Sequence, residues 1–225
     1  MAELWLASVL FVGSHLGISS TPLRRWIVGI VGEKLYIVFY IAITICTLSY
    51  FIWVYGAIPN YEYFWTPDPS LYWIPKLLVP IACVLLLGGF MVPNPTTIGM
   101  AASARSPDPA RGVVRVTRHP FLWAVILWGF SHLVTNGDKV SVLFFATFIV
   151  AALVGGVLLD RKKAQQLGDT WPGFADKTSN IPFVAIISGR NKLIFRELWL
   201  PVVVGLGFAA AAFFGHEWLA GVGLY

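Results

Sequence analysis

The chain repeats one feature that decides its fold class, namely long apolar runs separated by polar stretches. Six such runs lie at about residues 3–20, 35–56, 71–92, 119–137, 140–159 and 198–218. A helix needs about 20 mostly apolar residues to span the hydrocarbon core of a bilayer. The runs lack the alternation of apolar and polar residues that is typical of membrane β-barrel strands. The sequence therefore predicts an all-α, polytopic integral membrane helix bundle with about six transmembrane helices.

The composition indicates a single membrane-embedded domain over residues 1–225. Hydrophobic residues make up 57% and charged residues only 12% of the chain, which is too little charge for a soluble surface. The predicted polar loops, at about 19–34, 93–118 and 160–197, carry three, four and seven of the 16 basic residues. The positive-inside rule places these loops in the cytoplasm and both termini outside it. Topology and lipid contact explain the net charge of +5, so no nucleic-acid partner is expected.

The loop at 160–197 is the longest polar stretch. Its first part, Asp160 to Leu167, is predicted to continue the fifth helix into water, and Gly168 to end that helix. Two apolar pieces follow, at 171–174 and 181–183. We expect them to pack at the membrane interface, with a lid over a site as the alternative.

Four histidines stand out, because ionisable side chains within membrane helices are functional candidates. His15 lies among small residues, which let a neighbouring helix or a flat cofactor approach closely. His119 opens the fourth run, and His132 lies about 20 Å further along it and about 220° around it, so the two cannot share one compact cofactor. His216 is expected near the outer interface. For each of them the alternative is a neutral imidazole hydrogen-bonded to a neighbouring helix.

The histidine pattern bears on the kind of metal site. The chain has no HExxH motif and no Cys–His spacing, so a zinc site is not expected. Two histidines from different apolar helices match the axial ligands of a six-coordinate haem b, and basic side chains can pair with the haem propionates.

An ordered set of short motifs extends from about residue 5 to the last helix. The motifs are His15 with the small residues after it, Gly32-Glu-Lys34, Thr117-Arg-His-Pro120, Ser131-His132, Asp160-Arg161, Gly168, and Thr178 through Pro182-Phe183. In this order the set resembles the NnrU family. That family consists of polytopic membrane proteins, is similar to plant zeta-carotene isomerase, and is named in bacteria for an association with nitrite and nitric oxide reduction. The resemblance implies a bacterial inner-membrane protein.

The resemblance also implies a haem b cofactor, because the plant relative is a haem b enzyme that isomerises a cis double bond of a carotenoid. Its two proposed haem histidines match His15 and His132, with His119 as the alternative partner of His15. Trp128, one turn before His132, is expected to pack on or near the ring. Arg118 is a candidate for pairing with a propionate.

Two departures from the plant relative bear on the reaction. A further functional histidine that follows its second helix is missing here, where the chain reads Trp53-Val-Tyr-Gly. A cysteine three residues before its second haem histidine is replaced by Gly129. We therefore expect an NnrU-type haem b-binding membrane protein of nitrite and nitric oxide (denitrification) metabolism. The alternative is a haem-dependent cis–trans isomerase of a carotenoid-like polyene.

A less favoured alternative is a membrane methyltransferase that uses S-adenosylmethionine. Arg118, His119 and the loop at 160–197 would form its cofactor cleft. No glycine follows Pro120, however, where the close approach of a nucleotide would need one.

The expected partners are the lipid bilayer, haem, and either a hydrophobic small-molecule substrate or nitric oxide. A non-catalytic role in assembly or sensing remains open at this stage.

Overall fold

The computed structural model describes residues 1–20, 22–59 and 62–221. This part of the chain is helical, and beyond one isolated bridge between Tyr63 and Asp138 it contains no β-strand. Its α-helices are α1 (Ala2–Val12), α2 (Ile18–Ser20), α3 (Pro22–Val31), α4 (Glu33–Ala57), α5 (Trp73–Met91), α6 (Pro120–Asn136), α7 (Lys139–Leu167), α8 (Trp171–Ala175), α9 (Val184–Ile187), α10 (Trp199–Phe214) and α11 (His216–Ala220). The all-α prediction is confirmed. Residues 60–61 and 222–225 of the predicted domain, and residue 21 of the first predicted loop, lie outside the described residues.

The number of candidate membrane spans is smaller than predicted. Three helical segments are long and apolar enough to cross a membrane, and they are Glu33–Ala57, Pro69–Met91 and Lys139–Ala175. A bent pair, Ala2–Gly17 with Pro22–Val31, could form a fourth span. Helices α6 and α10 have only 17 and 16 residues, short of the about 20 that span the hydrocarbon core. The described residues thus contain three or four candidate spans, and six are not confirmed.

The first apolar run departs from a regular α-helix at His15. Gly13–Gly17 forms a π-helical turn, a feature that is frequent at functional positions. The following helix α3 makes an angle of 71° with the preceding one and occupies part of the predicted loop at 19–34. A Cβ added at Gly13 or Gly17 would meet no described atom within 4 Å. The space beside the Gly13 and Gly17 positions is therefore open, whereas Ser14 between them hydrogen-bonds Thr47 of the neighbouring α4.

The long helices pack in an order that differs from their order in the chain. Helix α4 packs against α1, α1 against α7, α7 against α6, α6 against α5, and α5 against α10. Glycines permit the closest approaches, since a Cβ at Gly205 in α10 would lie 2.5 Å from Cα of Val84 in α5. A Cβ at Gly89 in α5 would lie 2.8 Å from the ring of Pro120. These contacts fix α10, and with it the adjoining α11, against the rest of the bundle.

An aromatic core lies where α1, α4 and α7 meet, and it consists of Phe11, Phe51, Phe144 and Phe148. Phe51 is fully buried, and its ring centre lies 4.8 Å from that of Phe144. Trp128 of α6 reaches this core, with its ring centre 5.6 Å from that of Phe148. Large aromatic side chains contribute much of the burial free energy of such a core. The core therefore joins the N-terminal helix to α6.

The polar stretch at 160–197 begins as predicted. Helix α7 continues to Leu167, and Gly168 ends it with a φ of +51°, a conformation that favours glycine. Phe174 is fully buried beside Ala110 and Val114. It therefore joins this loop to the loop at 93–118, and the packing of the two apolar pieces at the membrane interface stays a prediction. Together the two loops enclose the start of α6.

Candidate functional site

A polar cluster, which consists of Arg118, His119, Asp160 and Trp171, lies where α6 begins beside α7. Nε2 of His119 lies 2.7 Å from Oδ1 of Asp160, and the His119 side chain is only 1% exposed. Nη1 of Arg118 lies 3.8 Å from Oδ2 of the same carboxylate. The guanidinium of Arg118 lies over the indole of Trp171 at 5.5 Å, close enough for a cation–π contact. The carboxylate of Asp160 therefore contacts both the imidazole of His119 and the guanidinium of Arg118.

Hydrogen bonds to the backbone fix the segment that carries Arg118 and His119. Oγ1 of Thr117 accepts from the backbone N–H of His119 at 3.2 Å. The carbonyl of Arg118 accepts from Nδ2 of Asn94 at 3.0 Å and from Oγ1 of Thr96 at 3.1 Å. The approach of both side chains to Asp160 is thus set by the loop at 93–118.

The guanidinium of Arg118 has one N–H group without a hydrogen-bond acceptor among the described residues. Burial lowers the pKa of the guanidinium below its ordinary value, and the Asp160 carboxylate partly opposes that effect. Its buried Nε has no hydrogen-bond partner among the described residues. A buried donor without a partner is costly. The polar cluster can therefore orient an imidazole through Asp160, and it offers one donor to an anionic group.

A second group of side chains, the imidazole cluster, lies further along α6 and consists of Trp128, His132, Phe145 and His216. Nδ1 of His132 lies 2.8 Å from the carbonyl oxygen of Trp128. The ring centre of His132 lies 5.3 Å from Trp128, 5.0 Å from Phe145 and 6.4 Å from His216. The cluster thus brings two imidazoles together among aromatic rings. It could bind a metal or a flat apolar group.

His15 lies on the opposite side of the aromatic core. Its ring stacks with those of Phe11 and Tyr40, at centroid distances of 5.6 and 5.9 Å. The hydroxyl of Tyr40 lies 3.1 Å from its Nδ1 and 3.3 Å from its carbonyl oxygen. Phe11 in turn contacts Phe148, which contacts Trp128. Aromatic rings therefore connect His15 with the imidazole cluster.

The structure groups the predicted site residues differently from the sequence. Arg118 and His119 meet at Asp160, whereas Trp128 and His132 meet about 15 to 20 Å further along α6 by the rise of the helix. The pairing of His15 with His132 stays a prediction. Sequence reasoning gave no role to the carboxylate of Asp160 or to His216. These residues lie 41 and 84 positions from His119 and His132, so no local spacing could link them.

Comparison with known proteins now bears on what these sites do. A model of the NnrU protein family matches residues 3–224. The chain belongs to the NnrU family. The predicted resemblance is therefore confirmed over nearly the whole chain.

Two curated plant proteins are also similar to this chain. It is 28% identical over 227 residues to the chloroplastic 15-cis-zeta-carotene isomerase of Zea mays, covering 94% of this chain and 58% of that protein. It is 26% identical over 230 residues to the protein of the same name in Arabidopsis thaliana, covering 95% of this chain and 59% of the relative. The chain thus spans less than two thirds of the length of these relatives. No solved structure matches.

Proposed function

We propose that this NnrU-family protein isomerises a cis double bond in a carotenoid-like polyene within a membrane. The observation that carries the proposal is the similarity to two 15-cis-zeta-carotene isomerases over 94% and 95% of the chain. These relatives favour the isomerase over the nitrite and nitric oxide role that the family resemblance suggested. The substrate class proposed is a C40-type polyene with a central cis bond, because the relatives' name specifies such a bond.

The environment of the imidazole cluster supports an apolar substrate. Trp128 and Phe145 line it with aromatic surface, and the neighbouring α7 belongs to a candidate membrane span. A carotenoid has no charged group, so recognition depends on burial of apolar area and on ring contacts. The open space beside Gly13 and Gly17 offers a lateral approach from lipid on the other side of the aromatic core.

We further propose haem b as the cofactor, with the imidazole of His132 as the side chain that would hold it. Support comes from His132, which supplies an imidazole, the side chain that holds haem iron in globins and peroxidases, among the rings of Trp128 and Phe145. When bound, the iron supplies a Lewis-acid or one-electron centre. The protein's own part is to hold the imidazole through the Trp128 carbonyl, to exclude water with Phe145, and to orient the polyene. Within the described residues no group of three or more His, Cys, Asp or Glu side chains could hold a bare metal ion.

The test is isomerisation by the full-length protein, purified with haem and reconstituted in liposomes that contain 15-cis-zeta-carotene. The assay runs in darkness, and chromatography separates the cis and trans isomers over time. Conversion that depends on protein concentration and is abolished by heat denaturation is the expected result. A haem-replete protein that leaves the isomer ratio at that of empty liposomes would reject the proposed function.

A further inference from the structure

A cleft with a volume of about 390 Å³ lies between the loops at 93–118 and 160–197. The charged side chains that line this basic cleft are four bases and one acid, namely Arg115, Lys177, Arg190, Lys192 and Asp108. We infer that the basic cleft binds the phosphate of an anionic phospholipid headgroup. The inference goes beyond the proposed function and depends neither on haem nor on the reaction.

Arg115 lies at the buried side of the basic cleft, and its charge is already matched. Its side chain is only 5% exposed. Nε donates to Glu197 at 2.8 Å, Nη1 donates to Oδ1 of Asn191 at 2.9 Å, and Nη2 donates to Asp108 and again to Glu197. Two carboxylates thus offset the charge of this guanidinium. Arg115 therefore shapes the basic cleft and leaves the binding of an anion to the other three bases.

Those three bases have no carboxylate partner. Within the described residues, no ion pair includes Lys177, Arg190 or Lys192. Nζ of Lys177 donates only to the carbonyl of Pro107, at 3.0 Å. Nη2 of Arg190 and Nζ of Lys192 have no hydrogen bond to any residue that the structure describes. A cleft lined by charge of one sign concentrates counter-ions, and arginine and lysine N–H groups are the donors that phosphate oxygens accept from.

The segment that carries Arg190 is held in place without a ligand. Gly189 ends helix α9 with a φ of +71°, and the backbone N–H of Arg190 donates to the carbonyl of Ala185 at 2.9 Å, as in a helix C-cap. In the side chain, Nη1 donates to the carbonyl of Asp176 at 2.8 Å and Nε to Oγ of Ser188 at 2.9 Å. The guanidinium is thus oriented in advance, which lowers the entropic cost of binding.

Exposed apolar side chains next to the basic cleft favour a lipid over a free anion. Ile187 and Phe195 flank the basic segment in the chain and are 83% and 77% exposed. Trp199, at the start of the apolar helix α10, is exposed as well. Tryptophan is typical of membrane interfaces, and basic side chains at that depth attract anionic headgroups. A phospholipid offers both a phosphate for the bases and acyl chains for these apolar side chains.

The experiment titrates the delipidated full-length protein in detergent, at physiological ionic strength, with short-chain phosphatidylglycerol. Isothermal titration calorimetry measures the affinity, and short-chain phosphatidylcholine and inorganic phosphate are titrated in parallel. The variants are Lys192→Gln and the double variant Lys177→Gln/Lys192→Gln. Arg196→Gln is the matched control, because it removes an equal charge from an exposed position of the same loop that does not line the cleft.

We expect phosphatidylglycerol to bind more tightly than either phosphatidylcholine or inorganic phosphate. Lys192→Gln should weaken its binding about fivefold, the contribution of one basic side chain at a membrane surface, and the double variant should weaken it further. Arg196→Gln should bind as the wild type does, because salt screens an exposed charge outside the site. Circular dichroism confirms folding, and Lys192→Gln removes no side-chain hydrogen bond to the described residues, so it serves if the double variant does not fold.

Unchanged affinity for phosphatidylglycerol in a folded Lys192→Gln protein, or an equal loss in Arg196→Gln, would overturn the inference. Equal affinities for the two lipids would show that the cleft does not recognise headgroup charge. Inorganic phosphate that binds as tightly as phosphatidylglycerol would overturn the assignment to a lipid. Isomerisation measured on the same samples is a separate result, since a protein that binds phosphatidylglycerol through Lys192 and leaves the polyene unchanged would support the cleft and reject the isomerase.

Discussion

At the start of α6 the imidazole of His119 is buried against a carboxylate, whereas His132 on the same helix bonds a backbone carbonyl and lies beside another imidazole. In the first case Nε2 faces Asp160 at 2.7 Å, so that nitrogen is occupied. In the second case Nδ1 faces the Trp128 carbonyl, so that Nε2 remains available. The partner of one ring nitrogen thus decides what the other can do.

The two clusters are also expected to differ in what they contribute, the polar cluster to stability and the imidazole cluster to cofactor binding. In the polar cluster one carboxylate contacts both the Arg118 guanidinium and the His119 imidazole, and the cluster ties two loops to α6. The imidazole cluster places the rings of His132 and His216 among aromatic side chains, with no carboxylate among its members. We therefore expect substitutions in the polar cluster to lower stability, and substitutions in the imidazole cluster to lower cofactor binding and activity with little effect on folding.

The largest effect is expected from His132→Ala. Removal of a direct ligand should lower haem content and polyene isomerisation by at least about tenfold, since even loss of a ligand's hydrogen-bond partner costs 10- to 100-fold. Pyridine haemochrome absorbance per protein and chromatography of the isomers measure the two effects. His119→Ala is the matched control on the same helix and should keep haem in the protein that folds. Equal haem content in His132→Ala and the wild type would contradict the assignment of His132 as a haem ligand.

Asp160→Asn should mainly affect stability. It removes the charge that partners the buried Arg118 and His119, at an expected cost of about 2 kcal/mol in the free energy of unfolding. Thermal denaturation in detergent, followed by circular dichroism, measures the loss. Asp169→Asn changes an exposed carboxylate just beyond α7 and should leave the melting temperature unchanged. An equal change of melting temperature in Asp160→Asn and Asp169→Asn would contradict the stabilising role assigned to Asp160.

Gly205→Leu tests how α11 is positioned. A Cβ at Gly205 would overlap the backbone of Val84, so the larger side chain should push α10 from α5 at a cost of about 1–3 kcal/mol. We expect a lower melting temperature in detergent, because α10 and the adjoining α11 no longer pack closely against α5. Gly207→Leu is the control, because a Cβ there meets no described atom within 4 Å. An unchanged melting temperature in Gly205→Leu would show that the close α5–α10 contact does not hold this end of the bundle.

The smallest expected effect is a loss of stability at low pH. It involves the ion pair between Arg115 and Glu197, in the loops that surround the polar cluster. Arg115 donates to both carboxylate oxygens of Glu197, at 2.8 and 3.0 Å. These hydrogen bonds, together with the Gly112 N–H, hold the pKa of Glu197 below its usual 4.5. A carboxylate with a lowered folded-state pKa stabilises the protein above its unfolded pKa, and that stability disappears as pH falls through the folded pKa.

We therefore expect about 1 kcal/mol of stability, a small value because Glu197 is 27% exposed, to be lost on acidification below pH 4.5. Thermal denaturation between pH 7 and pH 3 measures the slope. Glu197→Gln should be less stable at pH 7 and should lose less stability on acidification. A steeper acid dependence in Glu197→Gln would refute this assignment.

The sequence by itself determined the helical class, because apolar runs of this length leave the backbone few ways to satisfy its polar groups except as helix. It also determined several helix ends, since Pro120 and Gly168 have backbone preferences that do not depend on distant residues. The family followed from an ordered set of motifs. The contact between Trp128 and His132 also follows from the sequence, because the two side chains lie one turn apart on one helix.

Only the tertiary structure decided which side chains meet. Hydropathy reports whether a segment is apolar but not where it bends or ends. The six apolar runs correspond to three or four candidate spans among the described residues, and the π-helical turn at His15 was not predicted. The two clusters depend on pairs 41 and 84 residues apart, His119 with Asp160 and His132 with His216. Such pairs form because helices pack through complementary surfaces, and a glycine such as Gly205 admits a neighbour that nothing in its own segment specifies.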